Sequence, residues 1–156
     1  MDDQHFIRQT IALAADHIRR HQGGPFAALV VLDDEIIGQG CNRVTSDNDP
    51  TAHAEIEAIR DACRRRGDFR LTGHTLYVNC EPCPMCLAAA YWADLKEICY
   101  AAERRDAAAI DFADQHLYDE ITRPLEARSL PMRQLLRAEA LEVFEQWRQM
   151  PDKIPY

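Results

Sequence analysis

Two short segments of this 156-residue chain gather the side chains that could do chemistry together: Thr51-Ala52-His53-Ala54-Glu55 and Glu81-Pro82-Cys83-Pro84-Met85-Cys86. His53, Cys83 and Cys86 are ligands of the kinds zinc prefers. Tetrahedral coordination by three protein groups leaves one position for water, which marks a catalytic site rather than a closed structural one. Two thiolates and a neutral histidine also cancel the charge of Zn²⁺. Glu55 follows His53 closely enough to face that water without binding the metal. Zinc lowers the pKa of its water from about 15.7 to roughly 7, and a carboxylate placed to move protons adds about 10²–10⁴-fold. The chemistry indicated is hydrolysis, with one Zn²⁺ per chain and Glu55 as the catalytic proton carrier.

Other uses of these residues explain less. A thioredoxin-like dithiol of Cys83 and Cys86 leaves His53 and Glu55 without a role. A closed structural site could recruit Cys80, which reads better as a small core residue at a strand end. Cys41, Cys63 and Cys99 read as buried hydrophobes. His17 and His21 lie one helical turn apart with no third ligand nearby, and read as a solvated helix face.

Both motifs fall where a loop or strand hands over to a helix. The partial positive charge of a helix N-terminus stabilises thiolates there. The first motif opens a helix from about Thr51 to Arg66, closed by Gly67. The second follows a strand over 74–79 and opens a helix over 84–93, with Pro84 in the first turn, where its missing N–H is not needed. Upstream, Phe6, Ile7, Ile11, Ala14, Ala15 and Ile18 form the stripe of a helix over 3–21, ended by Gly23-Gly24-Pro25. Apolar runs at 26–32 and 35–41 around Asp33-Asp34 predict a hairpin, and 42–50 a polar loop. A strand over 97–101, helices over 103–113, to about 121 and over 138–150, and a possible fifth strand over 132–136 follow. A hairpin followed by strands joined through helices predicts an α/β protein with a mixed sheet between helical layers, one α/β/α domain.

The formal charge, 18 basic minus 26 acidic residues, is −8. That balance lacks the basic field of a nucleic-acid binder, and Arg60, Arg64, Arg65, Arg66 and Arg70 read as the solvated end of a helix. No apolar stretch approaches a membrane span, and the acidic start does not resemble a secretory signal. A cytoplasmic protein with a small uncharged substrate is expected.

His-x-Glu followed by Pro-Cys-x-x-Cys is the signature of zinc nucleobase deaminases. At these motifs the chain resembles the cytidine deaminase superfamily. Gly-Gly-Pro-Phe at 23–26, Asp-Pro-Thr-Ala-His-Ala-Glu at 49–55, Glu-Pro-Cys-Pro-Met-Cys at 81–86, Tyr91-Trp92-Ala93, the region around Phe112-Ala113-Asp114 and the terminal Tyr156 resemble its bacterial guanine deaminase branch. The likeness covers essentially the whole chain and implies the three-layer α/β/α cytidine deaminase-like fold. It also implies hydrolytic deamination of guanine at C2, with zinc on His53, Cys83 and Cys86 and Glu55 as proton shuttle. By the same resemblance the substrate site takes in Phe26, Asn42, Ala54, Trp92, Asp114 and Tyr156. Asn42 would hydrogen-bond the base, Phe26 and Trp92 would pack near it, and Asp114 would accept a purine N–H. Tyr156, in a C-terminal segment closing the site, could act within its own chain or across a homodimer with exchanged C-terminal segments.

Phe26 and Trp92 each have a core-packing alternative, Asn42 and Asp114 a capping one, and Tyr156 a frayed end. Ala27, Ala88 and Asp111 stand where the branch carries glycine, and Ala113 where it commonly carries an acid. These departures bear on substrate identity. The competing substrates are guanosine, cytosine, another aminated ring and a tRNA adenosine. A non-catalytic zinc-binding protein is the alternative of a different class.

Overall fold

The computed structural model describes residues 2–112 and 114–156, so Ala113 lies outside the described residues. These residues form two compact units, one running to His116 and the other Leu117–Tyr156. The first unit contains α1 (Asp3–Arg19), β1 (Ala27–Leu32), β2 (Glu35–Cys41), α2 (Val44–Asp47), α3 (Ala54–Arg66), β3 (Thr75–Cys80), α4 (Pro84–Trp92), β4 (Glu97–Ala102) and α5 (Arg104–Ala108). α6 (Gln115–Thr122) crosses the division, and α7 (Arg137–Gln149) belongs to the second unit.

The sheet has the order β2-β1-β3-β4, with β1 antiparallel to both neighbours and β3 parallel to β4. A parallel pair needs a crossover, and α4 supplies it. Successive residues of β1 face opposite sides of the sheet. Ala28 and Val30 pack with Leu76, Val78 and the α3 alanines Ala54, Ala58 and Ala62. Leu29 and Val31 pack with Tyr77 and with Phe6 of α1. Helices therefore cover both faces of a mixed sheet, as the sequence pattern predicts.

The alanines at every fourth position of α3 let that helix lie directly on the backbone of β2. A Cβ on Gly40 would fall 2.3 Å from Ala54 O and 2.5 Å from Ala58 N, and one on Gly38 would fall 2.5 Å from Ala58 O. This contact seats the helix that carries His53 and Glu55. Gly40→Ala is expected to destabilise the protein by roughly 1–3 kcal/mol through overpacking, measured as a lowered denaturation midpoint. An unchanged midpoint would show that α3 can retreat without cost.

Four expectations need correction. The buried stripe of α1 is Phe6, Thr10, Ala14 and His17, while Ile11 and Ile18 are exposed. Thr10 satisfies its hydroxyl on Ile7 O at 2.8 Å, so a polar residue can occupy the buried face. His17 and His21 share no solvated face. His17 is buried, whereas His21 lies beyond the helix end at φ 55°. No strand forms over Met132–Leu136: its apolar residues do not alternate, and Leu136 turns left-handed at φ 51° to enter α7. Cys41, Cys63 and Cys99 are half-buried rather than core residues.

In the second unit the Glu120 carboxylate accepts from Ser129 N and Oγ at 2.7 and 3.1 Å. Arg128 reaches Ile121 O at 3.1 Å.

Candidate active site

His53 and Cys83 are each the N-cap residue of a helix, α3 and α4, in extended conformation. Pro50, the turn that Asp49 Oδ1 makes with Thr51 N (2.8 Å) and Oγ1 (2.7 Å), and extended His53 delay α3 until Ala54. Glu81-Pro82 ends the course of β3, and Pro84 starts α4 at once. The positive ends of two helices are thereby aimed at one point, which favours thiolates there.

The ligand atoms of His53, Cys83 and Cys86 lie within 4.8 Å of one another, the one such group of three among the described residues. Cys83 Sγ and Cys86 Sγ are 3.5 and 3.6 Å from His53 Nδ1. Zinc–sulfur and zinc–nitrogen bonds of about 2.3 and 2.0–2.1 Å at tetrahedral angles require S···N separations of about 3.5–3.6 Å. The donor set and its spacing fit zinc. Hydrogen bonds from Cys86 and His53 hold the Cys83 thiol down to about 4, against the opposing effect of burial. Cys86 moves up, through its hydrogen bond to Cys83 and through burial. The His53 imidazole is raised mainly by its hydrogen bond to Cys83.

Cys80 is buried at the end of β3, with Sγ 3.9 Å from Glu103 O, outside the three-ligand group. Burial, followed by the nearby Glu55 and Asp114 carboxylates, pushes its thiol up to about 11.

Glu55 lies in the first turn of α3 and is 8% exposed. Burial raises its carboxyl above the usual range, and Cys83 adds to the rise. A carboxyl in that environment holds a proton readily, as a shuttle must. Ala54 is buried between His53 and Glu55.

Asn42 is buried at the end of β2, its Oδ1 accepting from Gly24 N at 3.4 Å and Val44 N at 3.3 Å. That capping role fixes the amide and leaves Nδ2 to donate. Phe26 meets Phe112 edge to face, with centroids 4.9 Å apart and planes at 89°. Asp114 is half-buried. Burial raises its carboxyl, and Arg104 draws it down. Glu81 holds Arg104 through Oε1···Nε at 2.9 Å and through Oε2, which accepts from Arg104 N at 3.1 Å. Trp92 ends α4 and is 70% exposed, at the opposite end of that helix from the zinc ligand Cys83. Tyr156 lies in the second unit and is 85% exposed.

Two positioning contacts have no signal in the spacing of the motifs, although Glu81 itself opens the second motif. Asn79 accepts from Ala27 N on Oδ1 and donates from Nδ2 to Pro25 O, both at 2.8 Å, so it clamps the Gly-Gly-Pro-Phe segment. The Glu81–Arg104 pair likewise joins two helix entries. Of the unusual positions, Ala27 is fully buried and Ala88 exposed. Asp111 keeps φ 70°, the left-handed region that aspartate tolerates better than most residues.

Residues 1–102 match the family described as the cytidine and deoxycytidylate deaminase zinc-binding region. The chain belongs to the cytidine and deoxycytidylate deaminase family. Within it, the chain is 46% identical to guanine deaminase of Bacillus subtilis (strain 168), over 100% of both chains. The X-ray structure of guanine deaminase from Bacillus subtilis superposes with a TM-score of 0.97, covering 100% of this chain and 99% of that one. A tRNA-specific adenosine deaminase of Agrobacterium fabrum (strain C58) is 44% identical, over 56% of this chain and 57% of its own length. Like other members of a zinc-binding family, this deaminase-family chain carries a zinc site, on His53, Cys83 and Cys86.

Proposed function

We propose that this chain is a guanine deaminase, converting guanine and water into xanthine and ammonia. The observation that carries the reading is the likeness to the Bacillus subtilis guanine deaminase, which runs through residue 156, beyond the zinc motifs. The Agrobacterium fabrum adenosine deaminase matches over only about half the chain. Incubation with guanine tests the reading through xanthine and ammonia formed in equal amounts.

His53, Cys83 and Cys86 would hold zinc, which when bound acidifies a water beside Glu55. Glu55 takes a proton from that water and passes it to the guanine ring nitrogen as oxygen adds at C2. It then carries the second proton to the departing amine. The burial of Glu55 stabilises the protonated intermediate form of the carboxyl on which each transfer depends.

Base recognition falls to the residues around this centre. Asn42 donates from Nδ2 to an acceptor on the base, and Ala54 lines the floor between the metal ligand and the acid. Phe26, braced by Phe112, packs on the ring. Asp114 accepts a purine N–H while Arg104 supports its charge. Asp114→Ala is expected to raise KM for guanine about 10–150-fold, since a hydrogen bond to a charged group contributes about 1.5–3 kcal/mol. Its melting temperature should change little, because the side chain is only half-buried. Unchanged KM would remove Asp114 from the substrate site.

Residues 1–156 act, by the resemblance, as a single zinc-dependent deaminase domain, with Tyr156 among its substrate residues. By resemblance the enzyme is a homodimer, and exchange of C-terminal segments would bring Tyr156 to the partner subunit. No helix among the described residues is long and apolar enough to cross a membrane.

A tRNA adenosine substrate is the second reading, favoured by the partial likeness to the Agrobacterium fabrum deaminase. The net charge of −8 opposes it. So does α7, where Arg137 and Arg148 are outnumbered by Glu139, Glu142 and Glu145.

A further inference from the structure

Asn42 is fixed at more points than its amide. Its backbone N–H donates to Phe26 O at 3.0 Å, and its carbonyl oxygen lies 2.6 Å from His17 Nε2. A carbonyl only accepts, so Nε2 carries a proton and His17 is the donor. His17 sits in the last turn of α1, 25 residues away in sequence, and is 5% exposed. Gly23 keeps this contact open from the other side. A Cβ there would fall 2.1 Å from Asn42 O and 2.9 Å from His17 Nε2.

This hydrogen bond sets the peptide plane that follows Asn42, and with Phe26 O it fixes both backbone polar groups of the residue. The amide then has its Oδ1 occupied by Gly24 and Val44. Nδ2 is held in one direction by groups from α1, the Gly-Gly-Pro-Phe segment and the start of α2. We infer that His17 is a positioning residue for base recognition, acting on the substrate solely through Asn42. The inference rests on the reading that Asn42 Nδ2 faces the base. It assigns His17 to substrate affinity and leaves proton transfer by Glu55 independent of it.

Glutamine and asparagine separate this role from simple packing. The glutamine amide nitrogen lies as many bonds from Cα as His Nε2, whereas that of asparagine falls one bond short. With the zinc-loaded full chain, His17→Asn is expected to raise KM for guanine about tenfold, the scale of one buried hydrogen bond. Its kcat should stay within about twofold, and His17→Gln should restore KM to about the unsubstituted value. In an Asn42→Ala background, His17→Asn should change KM by less than about twofold, because no amide remains to be positioned. Should His17→Asn not fold, His17→Phe replaces it, filling the ring volume without a donor. Equal KM values for the donor and donor-less variants would overturn the inference. So would a fall in kcat matching the rise in KM, or a tenfold effect that persists without the Asn42 amide. Failure of the unsubstituted protein to convert guanine would instead overturn the guanine reading on which the inference rests.

Discussion

Glu55→Gln is expected to lower kcat by about 10²–10⁴-fold while the protein keeps one zinc per chain. Glutamine preserves the volume and polarity of a buried side chain, so the packing of α3 beneath Ala58 and Ala62 is undisturbed. It cannot accept and release a proton, and the reaction needs two transfers by one group. The three ligand atoms are elsewhere, on His53, Cys83 and Cys86. Zinc content by atomic absorption should therefore match the unsubstituted protein, and the loss should fall in kcat rather than KM. Normal turnover by this variant would remove Glu55 from the chemistry. Loss of zinc together with activity would make Glu55 a ligand instead.

Cys86→Ala is expected to abolish turnover by a different route, through the loss of zinc itself. Cys86 is completely buried in α4 and contributes one of three protein ligands. Removing it leaves two ligands and a cavity where the thiol packed. A drop in zinc content to well below one per chain should accompany a lowered melting temperature, since metal binding stabilises the folded state. Cys80→Ala is the matched control. Cys80 is buried nearby but bonds to Glu103 O, outside the ligand group, so that variant should retain zinc and turnover. Retention of zinc by Cys86→Ala, or its loss in Cys80→Ala, would redraw the site as one that includes Cys80.

The zinc centre is legible in the sequence because its residues must stand at fixed short spacings and because helix starts announce themselves. Pro84 and the shift from strand-like to helical pattern place Cys83 at an N-cap without any knowledge of tertiary contacts. The strands flanking Asp33-Asp34 are equally plain from their apolar runs. What escaped are contacts between segments distant in sequence. His17 reads as an exposed helical histidine, because nothing in its neighbours reveals the Asn42 carbonyl 2.6 Å away. Asn79 carries no motif, yet it clamps Pro25 and Ala27, over fifty residues upstream. Gly38 and Gly40 read as ordinary strand residues until α3 is laid against them. Met132–Leu136 failed for a local reason: its apolar residues are Met and Leu rather than β-branched or aromatic, they do not alternate, and Leu136 leaves the extended region. Trp92 is a reminder that a residue near a motif in sequence can stand at the far end of a helix from the metal centre.

The most direct test of the account is mass-spectrometric product analysis of the zinc-loaded protein. Guanine, guanosine, cytosine, adenine and tRNA would be supplied separately, with Glu55→Ala as control. Xanthine formed from guanine alone, and absent with Glu55→Ala, is the predicted result. Turnover of another of these compounds but not guanine would keep the zinc chemistry and contradict the assignment of the base-binding residues. Silence with all of them would contradict the enzyme reading itself and favour a zinc-binding protein without catalysis.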